Sequence, residues 1–190
     1  MRLVLIVVAL VAGLALVLGF VLTRGDAETD FRGSQPPEGI ELPAAAYAVA
    51  PGLRGKAAAV TFLDTQCTEA CPIVAAQIGD AMRLLESEPD EIVAVAFSVD
   101  PVNDTPARIR SFLERYRATD ELEYVDGTVE ELSPVWKGFQ IVSSHESGNS
   151  NMHSAPVRVY DAAGRWRSTL HPGVDLTPAN LAHDLEAAAG

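Results

Sequence analysis

The sequence predicts an α/β sandwich, a central mixed β-sheet flanked by helices, and three observations predict it. Short apolar runs rich in β-branched residues alternate with stretches whose apolar positions step by three and four. A hairpin pattern and one last amphipathic stretch close the chain. From about residue 41 to Gly190 there are no repeats or low-complexity breaks, which suits one domain with one core.

Ahead of that domain, Leu3 to Thr23 carries no charge. As a helix it would span roughly 31 Å at about 1.5 Å per residue, enough to cross a bilayer. A cleaved secretory signal is the alternative, but its apolar core is usually about 7–15 residues and ends at a small-residue site. No clear A-x-A site is present, so residues 1–23 are expected to be a single transmembrane anchor. Asp26, Glu28 and Asp30 follow the span closely, and a single N-terminal anchor usually leaves the rest outside. The expected location is the cell membrane, with the domain on the extracytoplasmic side. Residues 24–40, polar and rich in Gly and Pro, read as a linker.

Ala59 to Leu63 is a buried strand, and Cys71, Val74, Ile78, Met82 and Leu85 mark the inner face of the helix after it. Pro72 fits a first turn, where its missing amide hydrogen is no loss, so that helix should begin near Thr68 or Glu69. Ile92 to Val99 is a second strand. Thr105 caps the next helix, with Pro106 at its first position and Ile109, Phe112, Leu113 and Tyr116 inward. A short strand at Leu122 to Val125 leads to a helix with Val129, Leu132, Val135 or Trp136, and Phe139 inside. Val157 to Tyr160 and Arg165 to Leu170 form a hairpin turned at Ala162-Ala163-Gly164. Thr177-Pro178 opens a last helix that buries Leu181 and Leu185. This is the element order of a thioredoxin-like sandwich, with the cysteines where that fold keeps its active site.

Those two cysteines, Cys67 and Cys71, are the only ones in 190 residues and stand four apart. Placed before and inside the first helical turn, they are neighbours, and the helix N-terminus favours thiolate, at Cys67 in particular. A pair outside the cytosol is a disulfide, a metal site or a redox couple. A structural disulfide closing so short a loop would constrain the unfolded chain little. The net charge of −12 argues against nucleic acid and against lying flat on anionic lipid, and is compatible with cationic cargo or a basic partner.

Three segments together resemble the signatures of the Sco (SenC) family: Thr61-Phe62-Leu63-Asp64-Thr65-Gln66-Cys67-Thr68-Glu69-Ala70-Cys71-Pro72, then Phe97-Ser98-Val99-Asp100-Pro101-Val102-Asn103-Asp104-Thr105-Pro106, then His153-Ser154-Ala155-Pro156 leading to Asp161-Ala162-Ala163-Gly164. The resemblance implies a thioredoxin-like domain outside the membrane that binds copper through Cys67, Cys71 and His153. It implies service in building the binuclear copper centre of cytochrome c oxidase, as carrier, thiol reductant or both. The partner implied is the copper-receiving oxidase subunit or another cuproprotein. Asp64 and Gln66 depart from the family pattern, which often has an aromatic residue and a histidine there.

Two thiolates suit Cu(I), and one imidazole extends the set to Cu(II), so these donors suit a carrier exposed to both. A metal-independent oxidoreductase is the alternative, with Cys67 attacking a client disulfide and Cys71 resolving it. A peroxidase using Cys67 is a third reading. His145, in the polar loop Ser143 to Asn151, is a candidate auxiliary ligand or a solvated residue. Met152 offers a soft thioether but is expected to pack; His171 and His183 are expected to be structural or exposed. Asp100 and Asp104 read as turn and helix-start residues, and Glu69 as a residue favoured by the helix dipole.

Overall fold

Strand β1 (Ala57–Leu63) is buried at every one of its positions, which decides the architecture. A strand without a polar alternation needs cover on both faces. In the computed structural model, which describes residues 30–86 and 91–190, β1 has that cover. It pairs in parallel with β2 (Ile92–Ser98), from Ala57 opposite Ile92 to Leu63 opposite Ser98, and antiparallel with β4 (Val157–Tyr160). β3 (Glu123–Val125) extends the sheet beyond β2 and β5 (Trp166–Leu170) beyond β4, in the order β3-β2-β1-β4-β5. The sheet is therefore mixed, as expected, with β1 at its centre.

Side chains alternate across the sheet. Ala57, Ala59 and Leu63 meet α2 (Ala70–Met82), α3 (Pro106–Arg115) and α6 (Pro178–Ala189) in one core, which also holds Cys67 and Cys71. Ala58, Val60 and Phe62 meet α1 (Ala44–Val49) and α4 (Val129–Phe139) in the other. There Phe139 stands edge-on to Phe62, centroids 5.0 Å apart. Several helices start as their sequences dictate. Thr105 accepts from the Arg108 amide with Pro106 at the first helical position, and Thr177 does the same for Asn180. Thr128 and Glu131 form a reciprocal capping box on α4. The hairpin turns at Gly164, whose φ of +82° is open to glycine at little cost.

Three differences from the expectations have physical reasons. α2 begins at Ala70, a residue or two later than expected, because Glu69 is its N-cap and makes no side-chain cap bond. The polar loop after α4 contains a short helix, α5 (Ser144–Ser147), fixed by a capping box between Ser143 and Glu146. The described part of the expected linker is docked on the domain from Phe31 onward. Ser34 bridges Thr169 and Glu41 bridges Arg165 along β5. The Arg32 and Gly33 amides donate to the Asp184 carboxylate at 2.7 and 3.0 Å, and the Ser168 hydroxyl donates to it at 2.6 Å. Gly33 is required by closeness, since a Cβ there would lie 2.6 Å from the Thr169 carbonyl oxygen. The expected span at residues 3–23 lies outside the described residues, among which no helix is long and apolar enough to cross a membrane.

Candidate metal centre

The site forms where β1 ends and α2 begins. Leu63 is the last residue of β1, and the chain turns with the Cys67 amide donating to the Asp64 carbonyl at 3.1 Å. Cys67 lies in that turn and Cys71 is the second residue of α2, as the sequence places them. His153 arrives from the segment before β4, which antiparallel pairing carries back to the same end of the sheet. The Sγ atoms of Cys67 and Cys71 and a ring nitrogen of His153 all lie within 4.8 Å of one another, and among the described residues no other such group of donors occurs.

His153 Nε2 stands 3.2 Å from Cys71 Sγ, while Nδ1 faces the Ser154 carbonyl oxygen at 3.2 Å. A carbonyl only accepts, so Nδ1 carries a proton and Nε2 is the nitrogen turned to the sulfurs. Asn151 clasps the cysteine loop from the same segment. Its Oδ1 accepts the Thr68 amide at 3.0 Å and its Nδ2 donates to Thr68 Oγ1 at 3.4 Å.

The two sulfurs differ electrostatically. A hydrogen bond from the Cys71 thiol, reinforced by His153 and by backbone amides, outweighs burial and holds Cys67 at a pKa of about 3. Burial pushes Cys71 far up, and its bond to Cys67 pushes the same way, so it stays a thiol. Burial works against an imidazolium at His153, yet its bonds to Cys67 and to the Ser154 carbonyl prevail and its pKa is raised. One thiolate is therefore present at neutral pH. Ultraviolet thiolate absorption should show one ionised sulfur persisting from pH 7 to well below pH 5, whereas an ordinary thiol has a pKa near 8.5. In Cys71→Ala, which removes the principal cause, the transition should move upward by pH units; an unmoved midpoint would refute this account.

Behind the sulfurs lies a buried polar network that the motifs alone did not disclose. Asp104, 2 % exposed, accepts from the Thr65 amide and hydroxyl on Oδ1, at 2.9 and 2.6 Å, and from Ser98 Oγ and the Tyr124 hydroxyl on Oδ2, at 2.6 and 2.7 Å. Asp104 precedes the cap residue Thr105, so its carboxylate is turned to the cysteine loop rather than to the helix. The one hydroxyl hydrogen of Tyr124 is shared between Asp104 and the Leu63 carbonyl, 2.9 Å away, and burial, then the neighbouring Asp104 charge, keep the phenol protonated. Asp64 is fully buried, accepting from the Gln66 amide and from Ser144 Oγ at 2.7 Å each, and burial raises its pKa. Asp100 does form a turn, its carbonyl accepting from the Asn103 and Asp104 amides. The one sequence signal for this network is a polar residue directly at the end of each buried run, Asp64 after β1 and Ser98 at the end of β2.

Other candidates stand apart from the three donors. His145 is exposed, its ring 6.3 Å from that of Trp136. His171 is exposed beside Asp175, and His183 lies 3.3 Å from Asp184 on α6. Met152 does not pack as expected: it is 62 % exposed.

The family model for SCO1/SenC matches residues 49–190. The chain belongs to the SCO1/SenC family. A curated member, the SCO1 protein homologue of Bacillus subtilis, is 27 % identical over 132 residues, covering 66 % of this chain and 67 % of that one. Two Sco2-like proteins from Rickettsia species match over 64 % of their own length. The solved structure of Bradyrhizobium japonicum ScoI with copper bound superposes with a TM-score of 0.60 at 27 % identity, over 73 % of this chain and 88 % of that one. BsSco, described as a member of the Sco family of cytochrome c oxidase assembly proteins and as having a disulfide switch, superposes with a TM-score of 0.57 at 26 % identity, over 72 % of this chain and 82 % of that one. Among SCO1/SenC members, this chain thus has two cysteines and a histidine converging at the sheet end, with the mixed sheet and flanking helices of its relatives.

Proposed function

We propose that this protein binds one copper ion through Cys67, Cys71 and His153 and delivers it during assembly of cytochrome c oxidase, anchored to the membrane by Leu3 to Thr23 with its domain on the extracytoplasmic side. The observation that carries this reading is the convergence of two sulfurs and one imidazole nitrogen within 4.8 Å. Sulfur donors favour Cu(I), the imidazole makes the set able to hold Cu(II), and a fourth donor of the kind structural zinc wants is absent among the described residues. Copper is the cargo here. Its binding takes the existing Cys67 thiolate, displaces the Cys71 proton and uses the lone pair at Nε2 of His153. The copper-bound ScoI relative and the role in oxidase assembly described for BsSco support the same reading.

Thiol–disulfide exchange on a client is a second reading, favoured by the pairing of a low-pKa Cys67 with a protonated Cys71 behind it. His153→Ala separates the two. Competition against chelators should show Cu(II) affinity falling by more than about hundredfold, since even a supporting residue around a metal is worth about 10–100-fold. Disulfide exchange by the same variant should continue within a few-fold of wild type. Unchanged copper affinity would remove His153 from the ligand set and leave the oxidoreductase reading in its place.

A further inference from the structure

Met152 is exposed between two residues that touch the cysteine loop and its helix. On one side Asn151 is bonded to Thr68, the residue after Cys67, at 3.0 and 3.4 Å. On the other, His153 Nε2 is 3.2 Å from Cys71 Sγ. The Met152 amide itself donates to the Asn149 carbonyl at 2.9 Å. Its backbone is thus pinned against the cysteine loop, while its side chain is 62 % exposed. The other methionine among the described residues, Met82, packs against the core. The sulfurs of the site are different: Cys67 is 4 % and Cys71 0 % exposed, out of direct reach of a ligand on another molecule.

We propose that the Met152 thioether is a transfer ligand for Cu(I), the exposed soft donor through which the ion passes between an external ligand and the buried Cys67, Cys71 and His153. This inference rests on the copper reading above. A thioether is soft and uncharged, binds Cu(I) without releasing a proton, and sits on a flexible side chain whose Cα is about 3.8 Å from that of His153. On loading, the bond from Cu(I) to the outside ligand breaks as the bond to Met152 Sδ forms. Cys67 then displaces Sδ, and Cys71 gives its proton to water as it binds. The ion is Cu(I) at every stage, and unloading is the reverse. A donor of this kind changes the rate of exchange and leaves the resting affinity almost untouched, because it is not bonded in the final complex.

The test is Met152→Leu in the full chain, which removes the sulfur and keeps the volume. Cu(I) is withdrawn from the loaded protein by a chromogenic chelator in stopped flow, and equilibrium affinity is measured in parallel. Withdrawal should slow about tenfold, a barrier change of about 1.4 kcal/mol, with affinity within about twofold, and Met152→His should restore the rate. Withdrawal at the wild-type rate would overturn the proposal, as would an affinity that falls with the rate, the mark of a resident ligand. If wild-type protein holds no Cu(I), the failure lies in the copper reading itself and is visible before any variant is made.

Discussion

Replacing Cys67 with serine is expected to reduce Cu(I) affinity by at least about a thousandfold, about 4 kcal/mol, and to do so more severely than the same change at Cys71. The asymmetry follows from the charges. In Cys67→Ser the remaining sulfur is Cys71, which burial holds as a thiol, so at neutral pH almost no thiolate is left to meet the ion. In Cys71→Ser, the remaining Cys67 loses the thiol that lowers its pKa but keeps His153 and the loop amides around it. Competition of reduced protein against a Cu(I) chelator measures both. A thermal melt of each copper-free variant checks that the fold survives, as a one-atom change should allow. Equal losses in the two variants would contradict the described division into thiolate and thiol.

Asp104→Ala should be the most destabilising single change around the site, costing about 3–5 kcal/mol. The truncation orphans the Thr65 amide and hydroxyl, Ser98 Oγ and one of the two bonds from Tyr124. For a domain of this size each kcal/mol shifts the melting temperature by about 2–4 °C, so the drop should be about 10 °C. Asp104→Asn should cost far less, about 1 kcal/mol. Its carbonyl can keep the Thr65 amide, which can only donate, while its NH2 meets the hydroxyls of Ser98 and Tyr124, which can turn and accept. Denaturant unfolding of both variants provides the test; an alanine variant within 1 kcal/mol of wild type would show that the network does not hold the loop. Copper affinity of Asp104→Asn should follow that of wild type, because the carboxylate acts through the position of Thr65 and not on the metal.

What the sequence discloses and what it hides divide along a physical line. Local rules found α3, where Thr105-Pro106 caps and starts the helix, and the β4–β5 hairpin, where Gly164 takes the positive φ. They also placed Cys67 and Cys71, because a spacing of four is itself a distance. His153 is 82 residues from Cys71, and no spacing rule reaches that far; only the joint resemblance of three segments to one family brought it to the site. Asp104 was legible as a turn or helix-start residue and Asp64 only as a departure from the family pattern, neither as a buried acceptor, since the donors Ser98, Tyr124 and Ser144 come from β2, β3 and α5. Asp184 looks like a polar position on an amphipathic helix, yet it is fully buried because the Arg32 and Gly33 amides and Ser168 surround it. Residues 31–40 misled for the same reason: a Gly- and Pro-rich polar segment has one composition whether it floats or docks.

With the proposed anchor at Leu3 to Thr23, the docking of that segment would set the length of the leash. Were the whole stretch 24–40 free, its seventeen residues would allow the domain a radius of roughly 60 Å from an anchor ending at Thr23, at about 3.5 Å per residue. With Phe31 to Ser34 fastened by Asp184 and β5, only residues 24–30 would be left between such an anchor and the domain, and the radius would shrink to roughly 25 Å. β5 is two strands from β1, about 10 Å at ordinary strand spacing, so the cysteine loop would stay within roughly 35 Å of that anchor. A protein tethered this way would sample a thin layer above the bilayer and meet recipients embedded in that membrane far more often than ones free in the space beyond it.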